Sequence, residues 1–314
     1  MPSAPTIRLA TDDDVPEIID VCATALGWRD RTLDAQLFSW KHIDNAFGRS
    51  LLVVAVDDSG ILAVRPFMRW RFRRGHETLR AARAVDTATR PDARGRGLFR
   101  SLTEHGLDIL KDDGTDIIFN TPNTLSRPGY LKMGWIDAGR APVGISTPRL
   151  IALPRLAKSR VAAEKPSIDA SNLGSTVDAG LNTLIVAGEQ QGLTDHWVTD
   201  HTDASLRWRY ATGPIQYRWI PGPRQSGMIV RARRRGTCTE LLIAMSLGAL
   251  DSLAVQAGVA LARKKVGADY AIGPASLPGM ASIPRLGPQL TMRAVNSEPV
   301  PADHLWQPGD LELF

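Results

Sequence analysis

The residues best suited to chemistry in this chain lie in Val85-Asp86-Thr87-Ala88-Thr89-Arg90-Pro91-Asp92-Ala93-Arg94-Gly95-Arg96-Gly97-Leu98-Phe99. This stretch reads as a strand, a turn bounded by proline, a glycine-rich loop and the start of a helix. Amides at a helix start point outward unpaired, the helix dipole adds partial positive charge, and glycines let an anion approach the main chain closely. Arg94 and Arg96 add full charges beside it, so the segment suits a pyrophosphate. An Arg-x-x-Gly tetrad alone is a weak signal, because such tetrads arise by chance and Gly97 could simply permit close helix packing. Context strengthens it: the loop follows a strand and opens a helix, and Tyr130-Leu131-Lys132-Met133-Gly134-Trp135 comes after the next strand.

The elements that must position these residues alternate in type. Ile7 to Leu9 reads as a strand, and Asp14-Val15-Pro16-Glu17 as the start of a helix ending near Leu26. Ser50 to Val56 and Ile61 to Trp70 form a hairpin through Asp57-Asp58-Ser59-Gly60. Thr78 to Thr89 is a third long strand. Leu98, Leu102 and Ile109 mark one face of a helix that Asp112-Asp113-Gly114 ends, followed by a strand at Asp116 to Asn120. A short helix at Arg127 to Lys132 and a strand at Trp135 to Val143 complete an α/β domain around a central mixed sheet.

A chain of 314 residues is about twice the size of a common domain, and an internal echo suggests why. Phe38-Ser39-Trp40-Lys41-His42 resembles Leu206-Arg207-Trp208-Arg209-Tyr210, and Ser226-Gly227 stands at nearly the same offset from Ser59-Gly60. Met228 to Arg235 follows the second pair as a strand follows the first. The match fades after Leu241 to Gly248, where the helical segment Ala249 to Val266 has no arginine-glycine loop before it. Residues 148–175 carry Pro148, Pro154 and Pro166 among scattered Lys and Arg, without periodicity. The expected division is therefore 1–147, a linker at 148–175, and a degenerate copy at 176–314.

Hydrophobic residues at 43% and charged residues at 23% match an ordinary globular chain and exclude disordered or fibrous classes. No stretch reaches the roughly 18 apolar residues of a membrane span, and Met1 to Arg8 lacks a basic region followed by an apolar run, so a cytoplasmic protein without membrane partners is expected. Cys22 and Cys238 are too few for a disulfide framework or a metal cluster, and no metal is expected. The net charge of +5 is spread evenly, which disfavours nucleic acid and leaves room for a polyanionic small molecule. Arg69-Trp70-Arg71-Phe72-Arg73-Arg74 and the run Arg231 to Arg235 could stack or bind nucleotides, but read more simply as solvated hairpins with one apolar face.

Arg94, Gly97 and Tyr130 to Trp135 resemble the hallmarks of the GNAT superfamily of N-acetyltransferases: Arg or Gln, two residues, Gly, one residue, Gly or Ala, and a downstream Tyr-x-Lys-x-Gly-aromatic ending. Phe99 stands where a small residue is usual. The doubled architecture is similar to tandem GNAT enzymes of the enhanced-intracellular-survival type. The resemblance implies acetyl-CoA or a related short acyl-CoA as co-substrate, held between the strand ending at Thr89 and the strand ending near Asn120. By that resemblance Val85, Thr87, Ala88 and Thr89 would pair with the pantetheine arm, an amide near Thr87 would stabilise the oxyanion, and Arg94, Gly95, Arg96, Gly97, Leu98 and Phe99 would hold the pyrophosphate. Asn123, preferred over Asn120, would contact coenzyme A through its amide. Tyr130 would protonate the departing thiolate.

The base for the incoming amine stays open among Asp86, which sits beside the expected thioester, His42, His105, water and the terminal carboxylate of Phe314. That last option competes with simple packing of Leu311 and Leu313 into the second domain. The reading is acyl transfer to a primary amine of a small molecule. Its rivals are an aminoacyltransferase that uses aminoacyl-tRNA and two GNAT-like domains, and a binding scaffold without turnover.

Overall fold

The computed structural model describes residues 4–147, 161–192, 195–223, 226–248, 252–283, 285–297 and 303–312. Two compact units divide the chain. The first comprises Met1–Phe72, Thr78–Gly139 and Gln289–Ala302, the second Arg73–Glu77, Arg140–Pro288 and Asp303–Phe314.

In the first unit, strands β1 (Thr6–Leu9), β2 (Leu51–Asp57), β3 (Gly60–Arg74), β4 (Glu77–Ala84) and β5 (Ala88–Thr89) precede helix α3 (Leu98–Asp112) and strand β6 (Ile117–Asn120). Helix α4 (Arg127–Lys132) and strand β7 (Ile136–Arg140) follow, and helices α1 (Val15–Leu26) and α2 (Arg31–His42) fill the gap between β1 and β2. The sheet order is β1-β2-β3-β4-β6, then a strand β15 (Gln289–Ala294), then β7, with β5 pairing β3. Its two faces are both covered, which explains the unbroken apolar run of β2. Leu51, Val53 and Ala55 join Leu98, Leu102 and Leu110 of α3 on one side, while Leu52 and Val54 join Ile18, Val21 and Cys22 of α1 on the other.

Helix α2 is not among the elements expected from the sequence. Its start is set locally by Asp30, whose carboxylate accepts the Leu33 amide at 3.0 Å. The expected single strand Thr78 to Thr89 is two strands. Residues 85–87 leave the ladder, with Asp86 in the left-handed region at φ 53°, before β5 rejoins β3 at Ala63 and Val64. The parallel pairing of β4 with β6 runs only from Ala81↔Ile117 to Arg83↔Phe119.

The second unit carries strands β8 (Val143–Ser146), β9 (Val198–Thr199), β10 (Arg218–Pro221), β11 (Gly227–Arg235), β12 (Cys238–Leu247), β13 (Tyr270–Pro274) and β14 (Ala281–Ser282). Its helices are α5 (Val177–Gly192), α6 (Asp203–Leu206), α7 (Ser252–Lys265) and α8 (Pro308–Leu311). The sheet order β10-β11-β12-β13-β8-β14 repeats the first: an antiparallel hairpin, a helix, then a parallel strand, here Glu240↔Tyr270 to Leu242↔Ile272. The echo at 206–210 and 226–227 thus reflects a shared order of elements.

The division at 147 and 176 differs from the one observed. Strand β8 comes from the first half of the sequence yet pairs β13, and β15 comes from the second half yet pairs β6, through Thr291↔Asn120 to Ala294↔Ile117. The strand expected over Trp135 to Val143 is accordingly split between the two sheets. Each sheet is completed by the other half of the sequence, so a division into consecutive stretches cannot reproduce either unit. Residues 148–160 of the expected linker lie outside the described residues.

The run Arg231 to Arg235 is not a solvated hairpin. Arg231 is fully buried and Arg233 nearly so. The Glu312 carboxylate accepts from Arg231 Nη1 at 2.7 Å, Arg233 Nη1 at 2.6 Å and Tyr217 Oη at 2.5 Å. Glu240 accepts from Arg233 at 2.6 Å, Arg235 at 2.9 Å and Tyr270 Oη at 2.8 Å. Burial alone pushes the Glu240 carboxyl up, but Arg233 and Arg235 more than offset it and hold it low. Glu312 and buried Leu311 are therefore held in the second unit; Leu313 and Phe314 lie outside the described residues.

Removing one member of such a network strands the remaining charges, at a typical cost of about 3–5 kcal/mol. Glu312→Ala is expected to lower the thermal unfolding midpoint clearly, and an unchanged melting curve would show that the network contributes nothing.

Candidate active site

The glycine loop adopts the backbone its composition suggests. Gly95 and Gly97 both adopt left-handed φ, 77° and 76°, which residues with a Cβ rarely tolerate. Gly97 caps α3, and its carbonyl accepts the Arg100 amide at 3.0 Å. The first-turn amides ahead of Arg100 precede the helical ladder and face outward by helix geometry. Arg94 and Arg96 stand exposed beside them, Arg96 3.8 Å from Asp57.

Asp86 occupies the break in the strand, and its side chain turns inward. Its carboxylate takes a short ion pair from Lys41 and lies 3.0 Å from His42 Nε2. His42 Nδ1 lies 2.9 Å from Ser50 Oγ. An ionised carboxylate only accepts, so His42 Nε2–H donates to Asp86, and the Ser50 hydroxyl donates to Nδ1. Lys41, His42 and Ser50 are all buried. Burial lowers the His42 pKa more than Asp86 raises it, so the ring is neutral. For Asp86, burial raises the pKa, but Lys41 and then His42 outweigh it and hold the carboxyl well below its usual range. The serine, histidine and aspartate align like a nucleophilic triad, yet all are enclosed. The arrangement ties the end of α2 to the strand break.

On the other face, Tyr130 is buried on α4 and Arg65 is fully buried on β3. Arg65 Nη1 donates to Tyr130 Oη at 2.7 Å and to Thr87 Oγ1 at 2.5 Å. The Phe99 and Tyr130 rings meet edge to face at 5.4 Å. Phe99, the departure from the small residue usual in the loop, thereby links the first turn of α3 to Tyr130 and covers the Arg65 guanidinium at 5.0 Å.

The family model described as "Acetyltransferase (GNAT) domain" matches residues 6–137. That stretch is a GNAT domain. Solved structures extend the likeness in fold to nearly the whole chain. A probable N-acyltransferase from Enterococcus faecalis V583 shares 11% identity over 94% of this chain and 73% of its own, with a TM-score of 0.63. A GCN5-related N-acetyltransferase from Anabaena variabilis shares 15% over 93% and 73%, at 0.62. Eis1 from Mycobacterium abscessus shares 14% over 93% and 74%, at 0.56. No curated protein matches in sequence. The chain has a tandem GNAT fold.

Within the GNAT domain, Val85, Thr87, Ala88 and Thr89 line the broken strand. Ala88 and Thr89 pair β3 along one edge, while the pairing of β4 with β6 has already ended. Leu98 is buried beneath the loop. Asn123 is exposed, but its side-chain oxygen accepts from the Leu125 and Ser126 amides at 3.0 and 2.9 Å, so it shapes the turn into α4 and only its amide nitrogen is left for a ligand. Asn120 is buried and accepts from Thr291 Oγ1 at 2.7 Å. His105 lies half-exposed on α3. The arginine-aromatic strand segment packs inward: Trp70 and Phe72 are buried against Phe119, and Arg69 pairs with Asp113. The terminal carboxylate of Phe314 lies outside the described residues.

Lys41 and Arg65 are not among the expected site residues. Lys41 has no local signal, since α2 itself is not among the expected helices. Arg65 does carry one, as a single cation inside the apolar run Ile61-Leu62-Ala63-Val64-Arg65-Pro66-Phe67.

Asp86→Asn leaves the Lys41 ammonium buried without its counter-charge, so a loss of about 3–5 kcal/mol is expected. Since the folded carboxyl titrates below its unfolded value of about 3.9, its stabilisation is complete above that pH and is lost as pH falls. Thermal melts from pH 7 to 3 should show the gap between wild type and variant narrowing below about pH 4; a gap that widens on acidification would contradict this assignment.

Proposed function

We propose that the chain transfers an acyl group from acyl-CoA to a primary amine of a small molecule. The observation that carries this reading is the convergence of three features in one GNAT domain: two left-handed glycines at the start of α3, a strand edge interrupted at residues 85–87, and Tyr130, joined to Thr87 through Arg65 Nη1 and set against Phe99 in the first turn of α3. Together they offer a phosphate cradle, main-chain groups for an extended pantetheine arm, and a hydroxyl at the far end.

In this reading Arg94, Gly95, Arg96, Gly97, Leu98 and Phe99 hold the pyrophosphate end, and Asn123 contributes its amide nitrogen. The amine nitrogen attacks the thioester carbonyl, and an amide of residues 85–87 receives the oxyanion. As the tetrahedral intermediate collapses, the carbon–sulfur bond breaks with its electron pair on sulfur, and Tyr130 supplies the proton that yields the free thiol. The amine's surplus proton leaves to water. Asp86 is poorly suited to take it, because its carboxylate is enclosed and neutralised by Lys41, so its role here is to hold the strand break. The single glycine loop supports one coenzyme A site per chain.

Titration calorimetry should give one coenzyme A per chain, and Gly97→Glu should abolish it, because the new carboxylate repels phosphate and a side chain is strained at φ 76°. Two equivalent sites would refute the one-site assignment. A panel of amine acceptors with acetyl-CoA, read by free thiol, tests turnover and names the acceptor. With an acceptor in hand, Tyr130→Phe should cut kcat on the order of 10²-fold or more with little change in coenzyme A affinity. Equal turnover by the variant would remove Tyr130 from the chemistry.

A further inference from the structure

Arg65 is the physical anomaly of the first unit. It lies in the middle of β3 with none of its surface exposed, and a buried guanidinium is ordinarily matched by a carboxylate. Among the described residues none bonds to it. Its hydrogen bonds to the described residues go to two neutral hydroxyls, Thr87 Oγ1 and Tyr130 Oη, both from Nη1. Nε and Nη2 are buried without a partner. The rings of Phe67, Phe99 and Tyr130 lie 5.0, 5.0 and 5.1 Å from the guanidinium carbon, which adds attraction to a cation but no counter-charge. The buried arginines of the second unit mark the contrast, since Arg231 and Arg233 share a carboxylate. Arg65 is a desolvated charge with donors to spare, kept where its two bonded hydroxyls belong to the strand break and to the proposed acid.

We propose that Arg65 receives the charge of the departing coenzyme A thiolate and sets the direction in which Tyr130 gives up its proton. The inference rests on the acyl-CoA reading above and deepens it. A guanidinium can only donate, so with Arg65 Nη1 directed at Tyr130 Oη, the phenolic hydrogen must point elsewhere. When the carbon–sulfur bond breaks, the electron pair stays on sulfur beside the guanidinium. The Tyr130 proton then passes to sulfur, giving the thiol, and the phenoxide left behind keeps its hydrogen bond from Arg65 until water returns a proton. Negative charge forms next to a cation at both stages. Arg65 would be invisible to the ground-state thioester, which is neutral at sulfur, and would act only once charge develops.

The test compares coenzyme A with desulfo-coenzyme A, which lacks only the sulfur, by calorimetry on the full chain from pH 7 to 9.5. A thiol titrates near pH 8.5, so the wild type should prefer coenzyme A increasingly as pH rises, by on the order of tenfold at the upper end. Arg65→Met should erase that rise while binding desulfo-coenzyme A as the wild type does, and Arg65→Lys, which keeps the charge, should retain part of it. In turnover, Arg65→Met and Tyr130→Phe should be far less than additive, because each disables the same proton transfer. A wild-type preference flat with pH overturns the proposal, as does an Arg65→Met variant that keeps the rise. The wild-type titration and Arg65→Lys decide the matter if Arg65→Met does not fold. Failure of the wild type to bind either compound would overturn the acyl-CoA reading itself, and is thereby distinct from failure of the role given to Arg65.

Discussion

One buried ion pair governs the geometry of the first unit. Asp86 adopts a left-handed backbone conformation that costs a residue with a Cβ about 1–2 kcal/mol. The conformation persists because the carboxylate is drawn inward to Lys41 and His42 at the end of α2. Were Asp86 released, residues 84–89 could continue as one strand along β3, and the edge opposite β6 would be regular. With it held, the strand breaks at 85–87, main-chain groups leave the ladder, and Thr87 is turned toward Arg65 and Tyr130. The carboxylate is thus held in place as an anchor, and Lys41, then His42, keep it ionised against the cost of burial.

The two units treat buried arginine in opposite ways. In the second, Arg231, Arg233 and Arg235 are matched by Glu240 and Glu312, with Tyr217 and Tyr270 completing the hydrogen bonds. Such a closed network is structural, with its charges neutralised in place. In the first, Arg65 meets only hydroxyls and aromatic faces among the described residues.

A shared order of elements runs through both units. Both sheets share the hairpin, helix and parallel strand, but only the first copy joins its strand to its helix through Arg94-Gly95-Arg96-Gly97. The exchange of β8 and β15 means that the strand beside each parallel pair comes from the other half of the sequence. The second half of the chain is therefore needed to complete the sheet of the first, whatever else it does.

Local information was legible in the sequence where local physics decides. The helix over Arg127–Lys132, the hairpin at 57–60, and glycines at 95 and 97 follow from a proline in the first helical turn, turn chemistry and the need for left-handed backbone, all set by near neighbours. Those same residues supported the family resemblance, and with it the order of strands and helices. What tertiary structure alone decided are contacts between residues far apart along the chain. The Asp86 partners lie 44 and 45 residues away, those of Glu312 79, 81 and 95 away, and Thr291 meets Asn120 across 171. No local propensity encodes whether a carboxylate in a strand will face solvent as a base or turn inward to a lysine, nor whether an arginine run will be solvated or buried. Those outcomes are fixed by which charges the finished fold brings within hydrogen-bond distance, once water has been excluded around them.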